Sequence, residues 1–115
     1  MKIRNGFVSN SSSCSFIIKN LTNEEKTLVD FVKENSQLIE QFLDQYDWYK
    51  NDAEYTQKNL IKSAKKNNIV FTAKEENSCI FGDSQGTLIG KVFDYILRDG
   101  GSSKSFSWYL DEILR

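Results

Sequence analysis

The chain has 115 residues, of which 39% are hydrophobic and 27% are charged, and its formal net charge is −1. This length predicts one domain that can bury a core without disulfides, and the balanced charge gives no general attraction to nucleic acid or to an anionic membrane. The sequence has no histidine, which excludes Ser-His-Asp and Cys-His catalysis, histidine bases and most zinc hydrolases.

The opening of the chain joins a basic start, a turn and a serine block to an apolar run, Phe16 to Ile18. Polar residues interrupt the stretch of roughly 7–15 apolar residues that a signal peptide needs. No run of about 18 apolar residues occurs anywhere, so no membrane span is predicted. The turn and the serines also suit an anion cradle, although their spacing matches no P-loop. We expect a strand at Phe16 to Ile18, with flexibility confined to residues 1–13.

Three helices are predicted in the middle of the chain. The first opens near Thr22, which has the spacing of a capping box with Glu25. The polar pair 35–36 predicts a break, and a second helix with a broad apolar stripe is expected from about Gln37. A third helix is predicted roughly over residues 53–66, and its thin apolar side is typical of a mostly exposed helix.

A hairpin, a helix and a strand are predicted in the remainder. Residues 69–73 and 78–81 are rich in β-branched and aromatic side chains, which predicts two strands joined by a hairpin loop at residues 74–77. Thr87 is the candidate N-cap of a strongly periodic helix. Residues 106–110 alternate as a half-buried strand, and residues 111–115 suit a short helical end.

This order predicts a single α+β domain over residues 1–115, with a small sheet of about four strands packed against three or four helices. The expected core consists of Phe16, Ile17, Phe31, Phe42, Val70, Phe71, Ile80, Phe81, Ile89, Val92, Phe93, Ile96 and Trp108.

The two cysteines, Cys14 and Cys79, lie in apolar strand-like runs. Two cysteines without histidine cannot build a metal site alone, and we interpret both as small buried side chains. A disulfide stays open as an alternative if their strands pair. Carboxylates in the second half of the chain can bind Mg²⁺ through oxygen, but nothing in their spacing brings two of them together. We therefore predict no catalytic residue, no metal ligand, no cofactor and no enzymatic activity.

Charge is divided unevenly along the chain. Residues 23–54 contain nine acids and three lysines, a net charge of −6, whereas residues 55–74 contain five lysines and no acid, a net charge of +5. The acidic stretch can imitate nucleic acid toward a basic groove of a protein, and lysines spaced i, i+3 and i+4 can contact phosphates without reading bases. Both stretches also fit an ordinary solvated surface. The candidate partner-binding acids are Glu40, Asp44 and Asp47, and the candidate nucleic-acid-binding lysines are Lys58, Lys62, Lys65 and Lys66.

The segment from Arg4 to Ile17, RNGFVSNSSSCSFI, resembles the R-x-G-F-V-S-N-S-S-S-S-S-F opening of a group of small, mostly uncharacterised proteins from phages and other mobile elements. Cys14 stands where that pattern usually has serine. The resemblance implies a phage-like accessory protein in the cytoplasm of a bacterial host cell, and it carries no activity with it. The residues of this opening that we add as candidates for partner binding are Arg4, Asn5, Ser9, Asn10, Ser11, Ser12 and Ser13.

Two functions are expected from these observations. The first is stoichiometric binding to a host protein, for instance inhibition of a CRISPR effector or another nucleic-acid-handling defence complex. The choice of a defence target follows from the implied context and from no particular residue. The alternative is a nucleic-acid-binding accessory protein that uses the lysine-rich helix without sequence specificity.

Overall fold

The computed structural model describes residues 13–46, 53–67, 69–82 and 87–114. They form an α+β fold, as predicted, with a four-stranded antiparallel sheet, a two-stranded sheet and helices that share one core with the larger sheet. The strands are β1 (Ser13–Asn20), β2 (Lys26–Thr27), β3 (Val70–Phe71), β4 (Glu76–Gly82), β5 (Gly101–Ser102) and β6 (Phe106–Leu114). The helices are α1 (Leu28–Glu34), α2 (Gln37–Gln45), α3 (Gln57–Asn67) and α4 (Leu88–Ile96).

The larger sheet is ordered β4-β1-β6-β5, and all its neighbouring strands are antiparallel. Phe16 of β1 lies opposite Cys79 of β4 on one side and opposite Leu110 of β6 on the other. The register between β1 and β6 shifts after Ser15, so Asp111 has no partner across the ladder and forms a β-bulge. Because side chains alternate between the two faces of a strand, this register fixes which residues face the helices.

Helix α1 begins later than its sequence pattern predicts. Its capping box consists of Thr27 and Asp30: the Asp30 N–H donates to the Thr27 hydroxyl, and the Thr27 N–H donates to the Asp30 carboxylate at 2.9 Å. The capping box predicted at Thr22 and Glu25 is therefore wrong.

A buried asparagine explains why Thr22 does not start the helix. The Asn20 side-chain oxygen accepts hydrogen bonds from the N–H and the hydroxyl of Thr22, at 2.9 and 2.7 Å. Its amide nitrogen donates to the carbonyls of Glu24 and Phe71, at 2.7 and 3.0 Å. Thr22 is thus held in a loop that Asn20 organises, because a buried amide must satisfy its donors and acceptor inside the protein.

The hairpin predicted for residues 69–81 is also wrong. Strand β3 pairs with β2, whereas β4 pairs with β1. The connection between β3 and β4 bonds to the segment after β1 instead: the Lys74 N–H donates to the Thr22 carbonyl at 3.1 Å, and Lys74 Nζ donates to the Leu21 carbonyl at 2.7 Å. Periodicity marked both strands correctly but carries no information about which strand each one pairs with.

The predicted starts of α2 and α4 are confirmed. Helix α2 begins at Gln37, directly after the break predicted at residues 35–36. Thr87 caps α4, since its hydroxyl accepts a hydrogen bond from the Gly90 N–H at 3.0 Å. Both starts could be predicted because periodic apolar residues follow at once.

Two predicted helix boundaries differ from the structure. Helix α3 begins at Gln57 rather than near residue 53, and the Asn59 N–H donates to the Thr56 hydroxyl just before it, at 3.2 Å. The helical end expected for residues 111–115 is replaced by strand as far as Leu114, because β6 continues beside β1 past the bulge. An exposed strand with acidic residues lacks the apolar alternation that would have predicted it.

Most of the predicted core is buried. Phe31 lies at its centre, with four aromatic rings at centroid distances of 5.1–6.5 Å in edge-to-face arrangements. The four rings belong to Phe71, Phe93, Phe106 and Trp108. The confirmed core residues are Phe16, Phe31, Phe42, Phe71, Phe81, Ile89, Val92, Phe93, Ile96 and Trp108.

Ile17, Val70 and Ile80 are not core residues, contrary to the prediction. Ile80 is 48% exposed and Ile17 is partly exposed, because both point to the face of the sheet opposite the buried Phe16 and Phe81. Val70 is 44% exposed on the short strand β3. A strand-like sequence predicts alternation but leaves open which of its two faces the helices cover.

Strand β5 approaches Trp108 closely. Gly101 lies opposite Trp108, and a Cβ atom at position 101 would lie 2.7 Å from Cζ2 of the indole ring. The ring is buried in the core and cannot retreat, so this position requires glycine.

Candidate interaction surfaces

The predicted acidic surface on α2 is present in part. Glu40 and Asp44 are exposed, one helical turn apart, on the side opposite the buried Leu38 and Phe42. Asp47 lies outside the described residues. Of the three candidate acids, two are therefore seen on the exposed side of α2.

Other acids of this stretch bond to their own chain, as Asp30 does in the capping box of α1. Glu24 forms an ion pair with Lys26 at 3.7 Å. Glu34 accepts hydrogen bonds from the Ser103 hydroxyl and from the Ser105 N–H. Burial by itself would raise the pKa of Glu34, but the hydrogen bonds from Ser103 and Ser105, together with the charge of Lys26, outweigh it and lower that pKa. The charge of −6 thus overstates what the stretch offers to a partner.

The predicted lysine surface is present on α3. All four of its lysines are exposed, while Leu60 and Ala64 on the other side of the helix are buried. Beside this surface lies a cleft of about 310 Å³, which Lys62 and Lys66 line together with Thr87 at the start of α4. The lysines are Lys58, Lys62, Lys65 and Lys66.

The start of α4 contributes little further to anion binding in this cleft. The Gly90 N–H already donates to the Thr87 hydroxyl at 3.0 Å, and the Ile89 N–H donates to the Ser63 hydroxyl at 3.1 Å. The carboxylate of Glu54 also lines the cleft. An anion bound there would depend on the lysines, because these two helical N–H groups already have partners.

A further surface, which the sequence did not predict, is the outer face of the four-stranded sheet. We define the outer face by the residues whose side chains point away from the helices, centred on Ile17 and including Ile80 and Tyr109. Tyr109 lies opposite Ile17 in the ladder, and both Tyr109 and Ile80 are 48% exposed. No described helix covers these side chains, so an aromatic and two aliphatic residues share one accessible surface.

Carboxylates surround this apolar centre. Glu76, Asp111 and Glu112 lie on or beside the outer face, and among the described residues of this face Lys19, opposite Glu76, is the single positive charge. Ser15 joins the strands by donating to Asp111 at 3.2 Å. Desolvation and the nearby carboxylates of Glu76 and Asp111 raise the pKa of Tyr109. The Tyr109 hydroxyl donates to the Glu76 carboxylate at 3.5 Å.

A buried polar cluster also escaped the sequence analysis. Asp94 of α4 is completely buried, and Arg98 donates from Nε to the Asp94 carbonyl at 2.7 Å and from its terminal nitrogen to the Asp94 carboxylate at 3.1 Å. Cys14 lies against the same pair, and burial together with Asp94 raises its pKa to about 11. The i, i+4 spacing of Asp94 and Arg98 was the one sequence signal that could have indicated the pair.

Neither thiol is suited to nucleophilic chemistry. Burial raises the pKa of Cys79 to about 12, and the reactive form of cysteine is the thiolate. The two strands do pair, but Cys14 lies opposite Phe81 and Cys79 opposite Phe16, so the thiols are diagonal to each other and both are free. The disulfide alternative is therefore not realised.

The described residues also bear on metal binding and on membrane crossing. No group of three metal-ligating side chains occurs there that could hold an ion, and no helix there has the length and apolar character that a bilayer crossing requires. Of the candidate residues in the opening segment, Ser13 begins β1 opposite Gly82 and Leu114. The other six, Arg4, Asn5, Ser9, Asn10, Ser11 and Ser12, lie outside the described residues.

Comparison of the chain with family models, with curated proteins and with solved structures gives no match in any of the three. A function for this chain must therefore be inferred from its own surfaces.

Proposed function

We propose that this protein acts by stoichiometric binding to another protein, with the outer face of its sheet as the centre of the interface. The observation that carries the proposal is the exposure of Tyr109 and Ile80 beside Ile17 on a sheet face that no described helix covers. Tyrosine is enriched at the centres of protein interfaces, and these centres are more apolar than the rest of the protein surface.

Charge on the outer face favours a basic partner. Counting the residues that the structure describes on this face, three carboxylates, of Glu76, Asp111 and Glu112, are opposed by one positive charge, that of Lys19. A negative surface accelerates encounter with a positive one and selects against acidic partners. Proteins that handle nucleic acid have such basic surfaces, and a host defence complex of this kind is the partner we propose, on the resemblance of the opening segment.

The size of the outer face indicates that the interface extends beyond it. Strand β1 has eight residues and so spans roughly 26 Å, and the three long strands together are about 15 Å wide. The face then offers roughly 400 Å², half of the ~800 Å² that a standard interface buries on each partner. The partner must also contact a neighbouring element.

The acids on α2 are separated from this interface. Glu40 and Asp44 belong to the helical layer, and α2 packs into the core on the other side of the sheet from Tyr109. A flat partner surface on the outer face cannot reach them as well, so the two acidic surfaces can be tested against each other.

We expect reversal of charge on the outer face to abolish recovery of a partner, and the same reversal on α2 to leave it intact. The outer-face variant is Glu76→Lys with Glu112→Lys, and the matched control is Glu40→Lys with Asp44→Lys, because both change the net charge by the same amount. Each tagged protein is used to capture partners from a bacterial lysate, which are identified and quantified by mass spectrometry.

At least a tenfold loss is expected for the outer-face variant, together with recovery of the same partner by the control. Loss with the α2 variant and retention with the outer-face variant would move the interface to α2. Recovery of nucleic acid with no protein would contradict protein binding altogether.

Exposure of all four lysines of α3, two of which line a cleft, favours a second candidate function. We propose, as the alternative, non-specific binding to nucleic acid through phosphates. Replacing Lys58, Lys62 and Lys66 with glutamine should then weaken binding equally for all sequences and flatten its dependence on salt concentration. Fluorescence anisotropy of labelled DNA and RNA checks this, and absence of binding by the unmodified protein at low salt would remove the alternative.

A further inference from the structure

Within the part of the chain that the structure describes, strand β6 has one open edge. It pairs with β1 along its length, but on its other side β5 covers only the part near Trp108 and Ser107. From Tyr109 to Leu114 no described strand lies beside that edge, and all six side chains are exposed or half-exposed. An exposed edge of this length is a place where an extended chain can add to a sheet.

The hairpin between β5 and β6 shows which backbone groups point to this edge. The Ser103 N–H donates to the Phe106 carbonyl at 2.7 Å, so the N–H and C=O of Phe106 point toward β5. Two residues further along β6, Trp108 lies opposite Gly101 and directs its backbone groups to the same side. Because alternate residues of an antiparallel strand direct their N–H and C=O to the same side, Leu110 follows in this series. Beyond the bulge, Ile113 lies opposite Cys14, and this register directs the N–H and C=O of Ile113 to the same edge. The edge thus offers two N–H and two C=O groups.

The acidic residues of β6 exclude a second copy of this chain as the occupant. Antiparallel pairing of two β6 edges would bring Asp111 and Glu112 of one copy against the same carboxylates of the other. Like charges directly opposite each other destabilise a strand pair. The same carboxylates attract a strand that carries lysine or arginine. The bulge at Asp111 disfavours indiscriminate pairing with other strands.

We propose that an extended, basic segment of the partner protein adds to the sheet as a fifth strand along Tyr109 to Leu114. The backbone of this segment bonds to Leu110 and Ile113. Its side chains alternate between the two faces of the sheet: those on the outer face pack beside Tyr109, and those on the opposite face pack beside Ile113, which is 43% exposed. This rests on the proposed function and supplies the additional contact that the outer face by itself is too small to provide.

The first test uses synthetic peptides and the full-length protein. An eight-residue peptide of alternating lysine and valine is compared with a glutamate–valine peptide of the same length. The third probe is the lysine–valine peptide with its alternate backbone nitrogens methylated, which keeps its charge and loses its donors. We expect the first peptide alone to bind, and to slow hydrogen exchange of the Leu110 and Ile113 amides at least tenfold. Equal binding of the methylated peptide, or protection confined to β4, would overturn the proposal.

The second test uses the partner captured from lysate. Ile113→Pro removes an N–H that faces the edge, and proline is tolerated at such a position. Ile113→Ala, the matched control, keeps the N–H. Recovery of the partner should fall at least tenfold with Ile113→Pro relative to Ile113→Ala. Equal recovery by the two variants would overturn strand addition, while the loss caused by charge reversal at Glu76 and Glu112 would still support binding to the outer face.

Discussion

Replacing Phe31 with alanine is expected to lower the free energy of unfolding by about 3–5 kcal/mol, the usual cost of removing a buried phenylalanine. Phe31 has no exposed surface and touches four aromatic rings from β3, α4 and β6. Those rings come from different elements and cannot close the cavity together, so the cost should lie in the upper part of this range. Urea unfolding followed by circular dichroism at 222 nm measures it.

Ile80→Ala is the control for this measurement. Ile80 is 48% exposed, and substitutions at such positions usually change stability by about 0.5 kcal/mol or less. A cost for Phe31→Ala as small as that of Ile80→Ala would contradict the central place of Phe31 in the core.

Replacing Arg98 with alanine is expected to cost about 3 kcal/mol, because the carboxylate of Asp94 would lose its guanidinium partner while remaining buried. The Arg98 side chain is itself 29% exposed, which places the expected cost at the lower end of the range for buried pairs. The double variant Asp94→Asn with Arg98→Ala removes the charge as well, and it should regain more than half of the loss. Thermal and urea unfolding of the two variants and of Asp94→Asn form a double-mutant cycle.

Additivity in this cycle would be the contrary result. If the double variant lost the sum of the two single effects, the ion pair would contribute nothing beyond the separate packing of the two side chains.

The α+β class and most helices could be predicted because their signals are local. Thr87 and the residues after it combine a cap with an apolar stripe, and α4 begins where that combination predicts. The start of α1 could not be predicted in this way, because Thr22 is a good cap by sequence but is held in a loop by Asn20, whose role depends on its burial. Strand partners could not be predicted, since the pairing of β4 with β1 depends on contacts between residues far apart in the chain.

The candidate surfaces divide in the same way. The lysines of α3 follow from helical spacing, and the structure places them together in the solvent. Ile17, Ile80 and Tyr109 are neighbours on the outer face only because three strands pair in a particular register. No short segment of sequence contains that information. In the sequence, Asp94 resembles an ordinary exposed residue of α4. Its burial becomes evident only when the fold brings Cys14 of β1 against that side of the helix.

The close approach of Gly101 to the indole ring of Trp108 bears on how the sequences of any homologues can diverge. A side chain at position 101 would occupy the space of the ring, so a larger residue there can be accepted only together with a smaller one at position 108. These two positions should therefore covary, and the pair glycine and tryptophan should recur as a unit. In distant sequences whose helices have drifted beyond alignment, that coupled pair would identify the β5–β6 hairpin and fix the register of the strand that carries the open edge.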